Sequence, residues 1–355
     1  MHAAAPLLVM RFSALGDVAM TVPVLRLLLE QNPSLHIRMV SNRAYAPLFD
    51  HIDRLSFFGA DLGGAHRGLP GLIRLYSDLR KAGPCGGIAD LHSVLRSRLL
   101  TLFFLVTGIR SVRLDKGRAA KRELTRRSGK ELRPLPTAFE RMRSVFTAFG
   151  LRCQLPTSTT ASALRPAAKA NYTIGIAPFA RHREKTYPLA LLKEVLALLQ
   201  TDSRFSIQLV GGAGAEAAAL SALEKEFTGV VSMAGRYSLA EELTFVGRLD
   251  LMVSMDSANM HLASLCNVPV VSIWGATHRY AGFMGWGQPD DHAVEVSLDC
   301  RPCSVFGNKV CYRGDHACMQ QIAPAVIATR IYTVLGLSMP GTTTRPASAA
   351  NATGH

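Results

Sequence analysis

The stretch Leu7-Leu8-Val9-Met10-Arg11-Phe12-Ser13-Ala14-Leu15-Gly16-Asp17 runs on into Val18-Ala19-Met20-Thr21-Val22-Pro23-Val24-Leu25-Arg26-Leu27-Leu28, and its reading decides the fold. The first four residues form an apolar run that reads as a buried strand. A short Ser/Gly turn follows, and apolar residues then recur at helical spacing. Strand, turn and helix in that order open a parallel α/β sheet. Asp17 then falls at the carboxyl end of the first strand, where such sheets bind ligands. Two roles fit it there: a helix cap accepting backbone N–H groups, or a functional carboxylate.

Working outward, the first half alternates strands and helices. Residues 35–40 and 87–90 read as strands, and residues 72–81 and 92–106 as helices, which implies a parallel sheet covered on both faces. Residues 156–171 are small, polar and Pro-containing and read as a linker. A second β/α series starts at residue 172, with strands expected at 172–178, 205–210, 249–255 and 268–274. The division is therefore a first domain over 1–155, a second over 172–337, and a Pro/Thr/Ala/Ser-rich tail over 338–355 expected to be disordered. At 355 residues the chain suits two cores.

Bulk composition narrows the partners. The chain is 48% hydrophobic and 19% charged, with a net charge of +14 and a pI near 9.8, so it is globular and suited to an anionic partner. Residues 110–133 carry ten Lys or Arg against three acids, and the resulting +7 is half of the net charge. That segment reads either as a solvated loop or as a hook for phosphate-bearing lipid at the inner membrane surface. It contains no aromatic residue, which argues against nucleic acid. The apolar run 99–107 is far shorter than the roughly 20 residues needed to span a bilayer. Met1 to Leu8 lacks a basic leader, so a cytoplasmic location, peripheral on the membrane, is expected.

Further turns carry candidate chemistry. Asp256-Ser257-Ala258-Asn259-Met260-His261 follows a strand and opens a helix, a ready-made anion site with His261 in its first turn. Lys185 lies in a loop just before a helix beginning near Pro188 and can offer a point charge to a diphosphate. Gly211-Gly212-Ala213-Gly214 follows another strand, and Glu216 could accept ribose hydroxyls there. Cys300, Cys303, Cys311 and Cys318 cluster late in the chain. The first pair has zinc-ligand spacing and His316 could replace one ligand, so a structural zinc is an open reading.

Arg11-Phe12-Ser13-Ala14-Leu15-Gly16-Asp17 resembles the "R-x-S-x-L-G-D" opening of family 9 glycosyltransferases, the bacterial heptosyltransferases of lipopolysaccharide core synthesis. Ala89-Asp90-Leu91-His92 with Arg96-Ser97 resembles that family's second N-terminal signature. Lys185-Thr186-Tyr187-Pro188 is similar to "K-x-W-P", and Asp256 to Ala263 to "D-[ST]-G-x-x-H-L-A". Tyr187 stands where the family has tryptophan, and Ala258 where it has glycine. Phe179 and Ala180 stand where small hydroxyl residues are expected.

The resemblance implies a GT-B fold of two facing Rossmann-like domains. It implies inverting transfer, with no metal taking part, of heptose from ADP-heptose to a lipid-linked inner-core acceptor. On that likeness Asp17 is the base and Ser13, Gly16, His92 and Arg96 belong to the acceptor side. Lys185, Glu216 and residues 256–261 (Asp256, Ser257, Ala258, Asn259, Met260 and His261) belong to the donor side. A transferase using another sugar nucleotide is the nearest alternative. A basic polyanion-binding protein with a four-cysteine structural zinc site is the alternative of another class. A nicotinamide oxidoreductase would need G-x-G-x-x-G where this chain has Ser13-Ala14-Leu15-Gly16-Asp17.

Overall fold

The computed structural model describes residues 5–156, 164 and 166–340. Strand β1 (Leu7–Met10) is buried along its whole length, as a central strand covered on both faces must be. It pairs in parallel with β2 (Ile37–Asn42) and β4 (Gly87–Asp90). With β3 (Leu55–Ala60) and β5 (Ser111–Arg113) they form a five-stranded sheet of order β3-β2-β1-β4-β5. One face is covered by α2 (Thr21–Gln31) and α6 (Ala138–Ala148), the other by α3 (Gly68–Lys81) and α4 (Leu95–Leu105).

The second sheet has the order β11-β10-β9-β6-β7-β8, again all parallel. Its strands are β6 (Tyr172–Ala177), β7 (Phe205–Leu209), β8 (Val230–Ser232), β9 (Leu251–Met255), β10 (Val270–Ile273) and β11 (Ala293–Val294). Helices α7 (Leu189–Gln200), α8 (Ala215–Glu226), α9 (Leu239–Val246), α10 (Ala258–Leu265) and α12 (Pro324–Leu335) pack around it, with the single turn α11 (Ala317–Gln320) just before α12. Two doubly wound domains are therefore present.

In each sheet the strand order reverses once, between β1 and β4 and between β6 and β9. Ligands bind such sheets at that reversal, beyond the carboxyl ends of the strands. In the first domain those ends lead into Arg11 to Asp17 and into Asp90 to His92. In the second they lead into Pro178 to Lys185 and into Asp256 to His261. The two reversals face each other, because the short helix α1 (Leu15–Ala19) lies against α10. Leu262 of α10 is buried in the core beneath α2, and the Phe139 ring meets Trp286 edge-on at 4.8 Å.

The structure departs from the sequence reading in two places that matter. The helix expected over 92–106 begins only at Leu95. Asp90 Oδ1 accepts the N–H groups of His92 at 3.0 Å and Ser93 at 2.8 Å, and Ser93 has a φ of 49°. Those side-chain bonds replace helical ones and leave His92 on a turn. The basic segment 110–133 is not a free loop: it holds β5 and α5 (Arg118–Leu124), and Leu124 is buried with Leu135 and with Ala281 of the second domain. Residues 157–163 and 165 of the expected linker lie outside the described residues, as do residues 341–355 of the expected disordered tail.

Candidate active site

Asp17 is the third residue of α1, and its side chain makes two contacts. Oδ2 accepts the Ala14 N–H at 3.2 Å, which caps the helix, and Oδ1 sits 2.7 Å from Nη2 of Arg11. Burial alone would raise the Asp17 carboxyl, but the Arg11 guanidinium and the Ala14 N–H outweigh it and hold the group below its ordinary value. Arg11 is itself fixed by donating to the carbonyls of Leu91 at 2.7 Å and Ser13 at 3.0 Å. Asp17 is thus both the cap and an ionised carboxylate lining a cleft between the domains.

That cleft has a volume of about 630 Å³. Arg11, Lys116, Arg118, Lys121, Arg122 and Arg141 line it from the first domain, and Arg181 and Lys309 from the second, with Asp17 the single carboxylate among the lining residues. Such a surface favours a polyanion. Lys121 is buried with its ammonium 4.1 Å from the centre of the Phe283 ring, and burial among Arg141 and other cations lowers it to about 8. Ser13 and His92 line the same cleft. Burial, aided by Arg11 and Lys116, lowers His92 to about 4, so the ring is neutral at ordinary pH. The Phe12 N–H donates to its Nδ1 at 3.4 Å, which leaves the proton on Nε2. Arg96 is half-buried and does not line the cleft.

Across the interface, Lys185 Nζ lies 3.2 Å from Oδ2 of Asp256, both side chains being largely buried. Ser257 holds the N-cap position of α10 without a side-chain capping bond, its hydroxyl lying instead 3.2 Å from that of Ser254. His261 is buried one turn later, and its Nδ1 has no partner among the described residues. Burial lowers its basicity against the opposing pull of Asp256 and Asp17, so it too is neutral. That nitrogen is enclosed, and neither Lys185, Ser257 nor His261 is among the residues lining the cleft. Ala258 faces Gly16, while the Met260 side chain belongs to the core and offers a ligand nothing.

Beside α10 a second cavity of about 340 Å³ is lined by Gly211, Gly212, Ala213, Met233, Gly235, Tyr237, Glu242, Phe245 and Asn259, with Leu15 entering from the first domain. The rings of Tyr237 and Phe245 lie 5.4 Å apart. Burial raises the Glu242 carboxyl. Glu216, expected here, does not line the cavity: its Oε2 accepts the Gly212 N–H at 2.7 Å and braces the glycine turn. Met233, Tyr237, Glu242 and Phe245 went unnoticed in the sequence. Position alone could have found Met233 and Tyr237, since they follow the carboxyl end of β8.

The four clustered cysteines converge on one small cavity together with His316. All four are free thiols, and among the described residues no group of three or more His, Cys, Asp or Glu is arranged to hold a metal ion. Their loop is tied down by Arg301, whose guanidinium donates to the carbonyls of Gly275 at 2.6 Å and Trp274 at 3.0 Å. The same loop brings Val305, Phe306, Asn308 and Lys309 to the main cleft. Between them Gly307 has a φ of 72°, and a Cβ there would overlap the stem of Lys185. Tyr187 is fully buried and donates to the Ile322 carbonyl at 2.7 Å, so it braces the Lys185 loop from below.

The folds of known proteins match this arrangement over nearly its whole length. A family 9 glycosyl transferase from Veillonella parvula superposes with a TM-score of 0.71 at 16% identity, over 94% of this chain and 98% of that one. The E. coli heptosyltransferase WaaC with ADP gives 0.65 at 19% identity, over 93% and 99%. The E. coli ADP-heptose LPS heptosyltransferase II gives 0.64 at 18%, over 93% and 98%. The architecture is accordingly GT-B. Among curated sequences, lipooligosaccharide heptosyltransferase 2 of Campylobacter jejuni is 32% identical over 75 residues, 21% of this chain and 22% of that protein. The chain thus spans between a fifth and a quarter of the length of the curated relatives it matches. The sequence profile of glycosyltransferase family 9 (heptosyltransferase) matches residues 103–310, more than half of the protein. The chain belongs to glycosyltransferase family 9.

Proposed function

We propose that the protein transfers heptose from ADP-heptose to an anionic, lipid-linked inner-core acceptor, with inversion and with Asp17 as the base. The observation that carries the reading is the apposition of α1 and α10. It brings the Asp17 turn, with its ionised carboxylate in a cationic cleft, against the helix that carries Ser257 and His261, and Leu15 and Asn259 of those same two helices line the glycine-rich cavity. ADP and an ADP-heptose analogue are the molecules named with the E. coli WaaC structures that share the fold.

In this reading the base and ribose enter the cavity by Tyr237, Phe245 and Met233, where glycine backbone permits close approach. The diphosphate meets Lys185 and the first turn of α10, whose N–H groups and dipole favour negative charge. The acceptor lies in the cationic cleft, its attacking hydroxyl beside Asp17. The acceptor oxygen forms its bond to the anomeric carbon as the bond to the diphosphate breaks, and the nucleotide leaves with that electron pair. The hydroxyl proton passes to Asp17. A carboxylate held below its ordinary value is a weak base, so this transfer comes late, once the hydroxyl has become acidic through bond formation. Lys185 and His261 meet the charge growing on the leaving group, the service a metal performs in other transferases.

The test is a thermal-shift screen against ADP-, GDP-, UDP- and CMP-sugars, since a ligand of the folded state raises its melting temperature. Selective stabilisation by ADP-heptose and ADP supports the donor. Selective stabilisation by another nucleotide assigns a different sugar nucleotide to the same site.

A further inference from the structure

We propose that the exposed face of α3 and α4 is a membrane-docking surface that seats the protein on an anionic lipid bilayer. The basic segment 110–133, the first candidate for that task, faces the other way. Lys116, Arg118, Lys121 and Arg122 line the cleft, Lys130 donates to the Pro302 carbonyl at 3.1 Å, and Arg127 stacks on Tyr312 at 4.6 Å. Most of its cations are thus directed at the cleft and the second domain.

The outer face of α4 carries what that segment lacks. Leu95, Leu102, Leu105 and Val106 are 74%, 51%, 45% and 82% exposed, and their spacing puts them with Arg98 on one stripe of the helix. The neighbouring α3 adds Leu69 and Ile73, and Tyr76 joins the helices by meeting the Phe103 and Phe104 rings at 5.7 and 4.8 Å. Six of the thirteen large exposed apolar side chains among the described residues stand on these two helices or, as Val106 does, at the C-cap of α4. None of the described helices is long and apolar enough to cross a membrane, so such a face lies on a bilayer rather than through it.

Charge selects the occupant. Arg74, Arg80 and Lys81 stand on α3, and Arg98 shares the apolar stripe of α4. The single acid on either helix, Asp78, is already paired with His66 at 3.2 Å and lies near Arg74. A second copy docked face to face would oppose these cations to themselves. An anionic lipid surface complements them while the leucines enter its interfacial layer. The face is also continuous with the cleft: a recess of about 440 Å³ shares Leu114, Lys116 and Arg118 with it and reaches Arg98. A lipid-anchored acceptor would pass along that recess, a point that rests on the function proposed above. The docking itself does not.

The experiment is co-sedimentation of the full chain with phosphatidylglycerol/phosphatidylethanolamine vesicles and with phosphatidylcholine vesicles. It compares wild type, Leu102→Asp/Val106→Asp, Arg98→Glu, and Arg126→Glu/Arg127→Glu. Wild type should bind the anionic vesicles, the α4 variants should bind at least about tenfold more weakly, and the 126/127 variant should bind as wild type does. An unchanged melting temperature certifies the variants' fold, and the ADP-induced shift is read separately, so a failed donor assignment is not confused with failed docking. Absence of vesicle binding by wild type, or binding that the α4 substitutions leave unchanged, overturns the proposal. So does a dimer in solution that the α4 substitutions dissociate.

Discussion

A Cβ on Gly16 would stand 2.8 Å from Cδ2 of His261 and 3.2 Å from Cα of Ala258, so the two domains touch where only a hydrogen fits. This contact fixes the distance between the Asp17 turn and α10. It also explains a glycine that the sequence motif carries without giving its reason.

Gly16→Ala is expected to push α1 off α10 or to displace the His261 ring. Overpacking of this kind costs about 1–3 kcal/mol. Turnover should fall more than stability does, because Asp17 moves relative to the donor. Melting curves and steady-state kinetics check this, and a variant with wild-type kcat contradicts the close-contact reading.

The cationic cleft predicts a pH dependence of acceptor binding. Lys121 loses its charge as pH rises through about 8, so affinity for an anionic acceptor should weaken across that range. In Lys121→Met the affinity should start lower and the inflection near pH 8 should vanish. Titration of acceptor binding from pH 6 to 10 reads it directly.

Arg11 predicts a second pH effect, on the acid side. Asp17 is held below its ordinary 3.8, so its ionised form stabilises the fold above that pH, and the contribution is lost as pH falls through the lowered value. The acid limb of kcat/KM should accordingly lie below pH 3.8. Arg11→Met removes the largest influence opposing burial and should move that limb upward. A limb that stays in place would show that Asp17 is not the titrating group.

Tyr187→Phe removes a buried hydroxyl and leaves the Ile322 carbonyl unpaired, at a cost of about 1–3 kcal/mol. Donor affinity should scarcely change, because the ring lies beneath the Lys185 loop rather than against a ligand. Melting temperature and ADP titration separate the two effects.

The central strands were legible because parallel strands buried on both faces are nearly continuous apolar runs, as residues 7–10 are and as 251–255 are but for Ser254. The strand-end turns followed from them, and with these Asp17, Lys185, Ser257 and His261. Helix α5 was hidden because its apolar docking rests on Leu124 and Ala120 among many cations, with Lys121 buried against Phe283, a pattern that local periodicity cannot reveal. The start of α4 was misread because Asp90 captures two N–H groups through its side chain. The walls of the second cavity at Met233, Tyr237 and Phe245 converge only through the strand order of the second sheet. Glu216 carried the right chemistry at a plausible spacing, yet the nearest donor to its carboxylate is the glycine turn itself.

Asp17→Asn preserves an oxygen for the Ala14 N–H while removing the negative charge that pairs with Arg11 and is assigned as the base. Single-turnover transfer from ADP-heptose, run beside ADP titration, tests the central claim most directly. The account predicts a rate lower by about 10²–10⁴-fold with ADP affinity within about twofold of wild type. Transfer at the wild-type rate with intact ADP binding would contradict it.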